Sequence, residues 1–133
     1  MLPLIYGAMA ELLGKAGKAL EAIAMMDDTL ALVGRNQERW FEAETHRIKA
    51  DALVSIQRFD RAEASFQQAI SVARDQGARL WELRAATKLA HLWREQGRGA
   101  EARALLAPVY GTFTEGLGTL DLKRAKALLD QLN

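Results

Sequence analysis

The sequence predicts an all-α chain: three helical hairpins closed by a seventh helix. Three observations predict it. Alanine and leucine are abundant, with only two prolines in 133 residues, a composition that favours helix. A pattern of turn residue, small residue and large residue recurs at a spacing of 40: Gly17, Ala22 and Met26; Gln57, Ala62 and Phe66; Gly97, Ala102 and Leu106. Within segments, apolar residues recur at three and four positions, the spacing of one helix face.

With 50% hydrophobic and 26% charged residues, the chain reads as one globular domain over residues 1–133. The formal net charge is +1 and no Lys/Arg block stands out, so the footprint of a nucleic-acid binder is missing. No run approaches the roughly 20 apolar residues of a membrane span. The apolar start, Met1 to Ala10, lacks a basic leader segment and is soon interrupted by Glu11 and Lys15, so it reads as helix. The absence of cysteine excludes disulfides and fits a cytoplasmic location.

Each unit reads as helix, tight turn, helix, because small residues at fixed places let two helices approach and large residues beside them fill the gap. The first hairpin covers about 1–36, with helices at 3–15 and 18–33 around a turn at Ala16-Gly17. The second covers 37–77, with helices at 38–56 and 59–75 around Gln57-Arg58. The third covers 78–116, with helices at 79–96 and 99–114 around Gly97-Arg98-Gly99. Glycine at a helix end supplies the left-handed residue that side chains resist. Gly34-Arg35-Asn36 and Asp75-Gln76-Gly77 are the expected breaks between units. In 59–75, Ala62, Phe66, Ala69, Ile70 and Ala73 form one apolar stripe, with Arg61, Gln67 and Gln68 off it. After a loop at 115–119, a closing helix covers 119–133, capped by Thr119 or Asp121 and carrying Leu122, Ala125, Leu129 and Leu132 inward.

Catalytic and cofactor motifs are not found. Gly14-Lys15 is followed by Ala16, without the glycines and Ser/Thr of a phosphate loop. Gly116-Leu117-Gly118 lacks a third glycine and a preceding strand. His91 and Glu95 share a helix face, but two ligands do not make a metal site, and a surface hydrogen-bonding pair is expected. Asp27 and Asp28 are adjacent and point to different faces, so they cannot act as a paired acid and base. His46, Trp40, Trp81 and Trp93 are expected to pack between helices. No cofactor and no metal is expected.

The turn-plus-alanine pattern in Arg58-Phe59-Asp60-Arg61-Ala62 and Gly97-Arg98-Gly99-Ala100-Glu101-Ala102 resembles the tetratricopeptide repeat. The spacing of 40 exceeds the roughly 34 residues of that repeat and lies near that of HEAT repeats, but the turn signature favours tetratricopeptide-like packing. The resemblance implies a right-handed α-solenoid whose first helices line a concave groove. Carried over, those positions are Gly7, Glu11 and Lys15, then Glu44, Arg47 and Asp51, then Arg84, Thr87, His91 and Arg94. The chaperone-type carboxylate clamp needs Lys and Asn where Gly7 and Glu11 stand. Charged residues in such a groove suit an acidic protein or peptide partner.

The segments 38–44, 79–87, 104–115 and 121–129 are similar to the C-terminal helical-repeat region of bacterial signalling ATPases linked to nucleotide cyclases or transcriptional regulators. The implied function is a non-enzymatic protein–protein interaction module in bacterial signal transduction. The alternative is an oligomerisation or sensor arm of a larger ATPase with no ligand of its own. At the N-terminal end, Leu4, Ile5, Tyr6 and Met9 exceed what one hairpin partner covers, so a homodimer through this face is expected if the chain stands alone.

Overall fold

The computed structural model describes residues 2–36, 41–116 and 118–132, and the side chains of 6–31, 41–116 and 118–132. The described residues form seven α-helices: α1 (Leu2–Lys15), α2 (Ala19–Asn36), α3 (Glu42–Ser55), α4 (Phe59–Asp75), α5 (Arg79–Glu95), α6 (Gly99–Gly111) and α7 (Leu120–Gln131). No strand occurs among them.

Four of the turns between helices share one backbone device. Gly17, Gln57, Gly77 and Gly97 take positive φ of 80°, 62°, 69° and 76°. The next residue's N–H then reaches back to a carbonyl in the last turn of the helix. Lys18 donates to Leu13 O at 2.8 Å, Arg58 to Leu53 O at 2.9 Å, Ala78 to Ala73 O at 2.8 Å and Arg98 to Trp93 O at 2.8 Å. These bonds satisfy carbonyls that a helix end leaves open. They also reverse the chain within three residues, which makes successive helices antiparallel neighbours.

The small and large residues of the recurring pattern all reach the core. Ala22, Ala62 and Ala102 are each fully buried, as are Met26, Phe66 and Leu106. In the preceding helices Ala10, Ala50 and Ala90 are buried as well. Alanine at these places removes the side-chain bulk that would hold two helices apart, and the large residue fills the adjoining space.

Each helix packs on the next in sequence, and α1 also touches α3, α3 touches α5, and α5 touches α7. Neither α2 with α4 nor α4 with α6 makes comparable contact. The odd-numbered helices therefore form a close row, with the even-numbered ones set behind it.

Several expectations are revised. α2 runs to Asn36, so Gly34 and Arg35 lie inside a helix, not in a break. One interior glycine costs about 1 kcal/mol, too little to end a helix that is otherwise favoured. α6 stops at Gly111, three residues early, where the Thr112 hydroxyl bonds to Val109 O at 2.8 Å. Thr119 is the N-cap residue of α7 but makes no side-chain cap bond, and Asp121 is engaged by Arg84 instead. Residues 37–40, Trp40 among them, lie outside the described residues.

Candidate binding groove

Helical spacing puts two charged side chains of each odd-numbered helix on one face. Residues three or four apart lie above one another on a helix. Glu11 and Lys15 come from α1, Arg47 and Asp51 from α3, Arg84 and Lys88 from α5, Asp121 and Arg124 from α7. These eight residues line a groove of about 730 Å³, with Ala10, Gly14, Ile48 and Ala52 among the apolar lining.

A charge network crosses the groove. Arg47 is buried and donates to three carboxylates: Nε to Glu44 at 2.5 Å, Nη1 to Asp51 at 2.8 Å and Nη2 to Glu11 at 3.2 Å. Glu44 is also buried, and its other oxygen accepts from Arg84. Arg84 in turn grips Asp121, Nη2 to Oδ2 at 2.9 Å and Nε to Oδ1 at 3.3 Å. One chain of ion pairs thus ties α1, α3, α5 and α7 together. Charges this poorly solvated persist only when paired and hydrogen-bonded. That condition is met: among the described residues no buried side-chain nitrogen or oxygen lacks a partner.

Protonation follows the same geometry. Burial works against the charge of Arg47, but Glu44, Asp51 and Glu11 outweigh it and hold the guanidinium above its usual range. The hydrogen bond to Asp121 does the same for Arg84, helped by Glu44. Burial pushes the Asp51 carboxyl up, against the pull of Lys88 and Arg47. Burial also pushes the His91 imidazole down, and the neighbouring cations Lys88 and Arg94 add to it.

The network leaves cations over. Lys15 and Arg124 have no hydrogen-bonding or ionic partner among the described residues, and Lys88 meets a carboxylate only at 4.0 Å, on Asp51. Five cations line the groove against three lining carboxylates and the buried Glu44, so its net charge is positive.

Of the groove residues carried over from the sequence, Glu11, Lys15, Arg47, Asp51 and Arg84 do line this one surface, with Glu44 buried alongside. Thr87 and His91 line an adjoining cleft of about 380 Å³ between α5 and α7. The Thr87 hydroxyl is committed to Leu83 O at 2.7 Å. Arg94 is exposed and lines neither cavity. Gly7 is not on the groove: it is buried, and a Cβ there would sit 2.7 Å from the Phe41 ring. Arg47 and Arg84 are not free cations, because acidic residues occupy both guanidiniums. Lys88, Asp121 and Arg124 line the groove beyond the positions carried over from the sequence. Their signal was the helical spacing itself, since Lys88 stands four after Arg84 and Arg124 three after Asp121.

The aromatic expectations fall into place elsewhere. Trp93 is buried, with its Nε1 donating to Glu63 at 2.9 Å and Arg98 stacked 4.7 Å over its ring. Trp81 meets Phe41 edge-on, with centroids 5.7 Å apart. At the N-terminal hairpin, Tyr6 packs on the core while Met9 is 46% exposed. Leu12 and Leu20 are more open, at 67% and 72%. The side chains of Leu4 and Ile5 lie outside the described ones.

No grouping of three potential metal ligands occurs among the described residues, and no helix there is long and apolar enough to cross a membrane. No protein-family model, curated protein or solved structure matches the chain.

Proposed function

We propose that this chain is a tetratricopeptide-like α-solenoid acting as a non-enzymatic interaction module, and that its groove binds an acidic segment of a protein partner. The observation that carries the proposal is the residual positive charge of the groove. Lys15, Lys88 and Arg124 come from three different helices and line one cavity; among the described residues Lys15 and Arg124 make no ion pair and Lys88 only a 4.0 Å one with Asp51. An extended acidic peptide can meet cations spaced along such a surface, each contact being a charge-assisted hydrogen bond. The contacts among α1, α3, α5 and α7, absent among the even-numbered helices, support a row that curves with the odd helices inside. The place in bacterial signal transduction rests on the sequence resemblance alone.

The test is fluorescence anisotropy with a labelled peptide rich in Asp and Glu. Reversing two of these cations, Lys15→Glu with Arg124→Glu, abolishes binding while helicity is kept. Equal binding by wild type and the double variant contradicts the proposal, as does absence of binding to wild type.

A second reading is favoured by the N-terminal hairpin. Met9 and Leu12 on α1 and Leu20 on α2 are large apolar side chains left open to solvent. A second copy of the chain covering them makes the domain an oligomerisation arm. Light scattering distinguishes this: Leu12→Glu with Leu20→Glu halves the molar mass of a dimer and leaves that of a monomer unchanged.

A further inference from the structure

The cleft between α5 and α7 differs from the groove it adjoins. It holds about 380 Å³ and is lined by Arg84, Thr87, Lys88, His91, Asp121, Arg124, Ala127, Leu128 and Gln131. One lining carboxylate, Asp121, is present, and Arg84 already holds both of its oxygens. That pair is self-neutralising. What remains is Lys88, His91 and Arg124: among the described residues Lys88 meets only Asp51, at 4.0 Å, and His91 and Arg124 make no ion pair. The walls beside them include Ala127 and Leu128. Cations that are unpaired or only loosely paired, set against apolar walls, focus a positive field into the space between them.

His91 registers that field. Burial is the first cause of its depressed pKa, and the ammonium of Lys88 and guanidinium of Arg94 are the next, with only Glu95 opposing. An anion bound in the cleft reverses the effect.

We infer that the α5/α7 cleft is a binding site for a phosphoryl dianion, held by Lys88, His91 and Arg124. The ion is either free or carried on a side chain of a segment lying in the groove, and only the second source rests on the groove proposed above. A phosphoryl group offers three acceptor oxygens and a charge of about −1.5 to −2, which matches an ammonium, a guanidinium and an imidazole better than a carboxylate does. Arg124 supplies a planar fork suited to two of the oxygens, and Lys88 supplies a point charge.

The test uses the full chain at fixed ionic strength. Inorganic phosphate is titrated against it, followed by calorimetry and by the His91 imidazole NMR signals. The expected result is saturable binding with the His91 pKa raised. Lys88→Ala and Arg124→Gln each weaken binding about tenfold, the scale of one lost charge-assisted contact. Arg61→Ala, which removes an exposed cation on α4, leaves it unchanged. A second arm compares a phosphoserine peptide with its serine counterpart, and tighter binding of the phosphorylated form, lost in the same variants, identifies the carried source.

The inference is overturned if neither phosphate nor the phosphopeptide gains affinity from the phosphoryl group. It is also overturned if the two variants bind as wild type, or if acetate produces the same His91 change as phosphate. The two proposals fail separately. An unphosphorylated acidic peptide that binds while the phosphoryl group adds nothing removes this cleft and keeps the groove. Phosphate binding without acidic-peptide binding does the reverse.

Discussion

Glu44 on α3 and Arg84 on α5 stand 40 residues apart, at equivalent places in successive hairpins, and are hydrogen-bonded to each other. Arg47 takes the other oxygen of the same carboxylate. The buried Glu44 is therefore the joint through which two guanidiniums are held. Glu44→Ala leaves a buried guanidinium short of one partner. We expect a loss of about 3 kcal/mol, at the low end for a broken buried pair because Arg47 keeps Asp51 and Glu11. The midpoint of urea unfolding measures it. The exposed pair Lys126–Asp130 serves as the comparison, and Lys126→Ala leaves the midpoint where it is.

Two glycines of α1 are expected to respond in opposite directions to the same substitution. At Gly7 an added Cβ falls 2.7 Å from Phe41 Cε1 and 3.2 Å from Ile48 Cδ1, both on buried side chains. Gly7→Ala therefore costs about 1–3 kcal/mol in forced displacement, against about 1 kcal/mol returned by helix propensity. It also changes the near-ultraviolet circular dichroism, because Phe41 carries the edge of Trp81. At Gly14 nothing lies within 4 Å of the added Cβ, so Gly14→Ala stabilises by roughly 0.5–1 kcal/mol. Thermal unfolding of the two variants decides; a shift of the same sign in both contradicts the packing described around Phe41.

Most of the helical frame was legible in the sequence, because turns and apolar stripes are local. α4 runs from Phe59 to Asp75, the residues its apolar stripe and flanking turns predicted. The left-handed turns at Gly17, Gln57 and Gly97 fall where the recurring pattern broke. The end of α2 is the exception: Gly34 reads as a breaker in the sequence, but a single glycine is a weak one and the helix runs on to Asn36. The site was less legible. Arg47 and Arg84 looked like cations facing a ligand, and only the fold shows that Glu11, Glu44 and Asp121 already hold them. Spacing along one helix gives the face a residue shares, not the charge that stands opposite on another helix. A usable hint existed at Glu44 and Arg84, which carry opposite signs at matching places of neighbouring units.

Gln57 holds a φ of +62° where the matching turns have glycine. A left-handed residue with a Cβ costs about 1–2 kcal/mol, part of which is offset because glycine loses more freedom on folding. Gln57→Gly is therefore expected to stabilise by about 0.5–1 kcal/mol. A raised urea midpoint with an unchanged slope is the predicted result.

Stability is expected to fall on mild acidification, with His46 as a named contributor. Burial depresses its folded pKa, and the carboxylate of Glu42 at 4.0 Å only partly opposes this. Well above about pH 6.5 the imidazole is neutral in both states and has no effect. Below it the unfolded chain takes the proton first, so the folded state loses stability as pH drops through that value. Unfolding at pH 7.5 and pH 5.5 shows the loss, and His46→Gln reduces it. An equal loss in the variant removes His46 from the account.

The most direct test of the central claim is to map where an acidic peptide lands. Amide and side-chain NMR shifts are recorded on the labelled domain as an Asp/Glu-rich peptide is added. The predicted result is saturable perturbation of Lys15, Lys88 and Arg124 and of their neighbours on α1, α3, α5 and α7. Perturbation confined to α2, α4 and α6, or to Met9, Leu12 and Leu20, contradicts the groove as the binding surface.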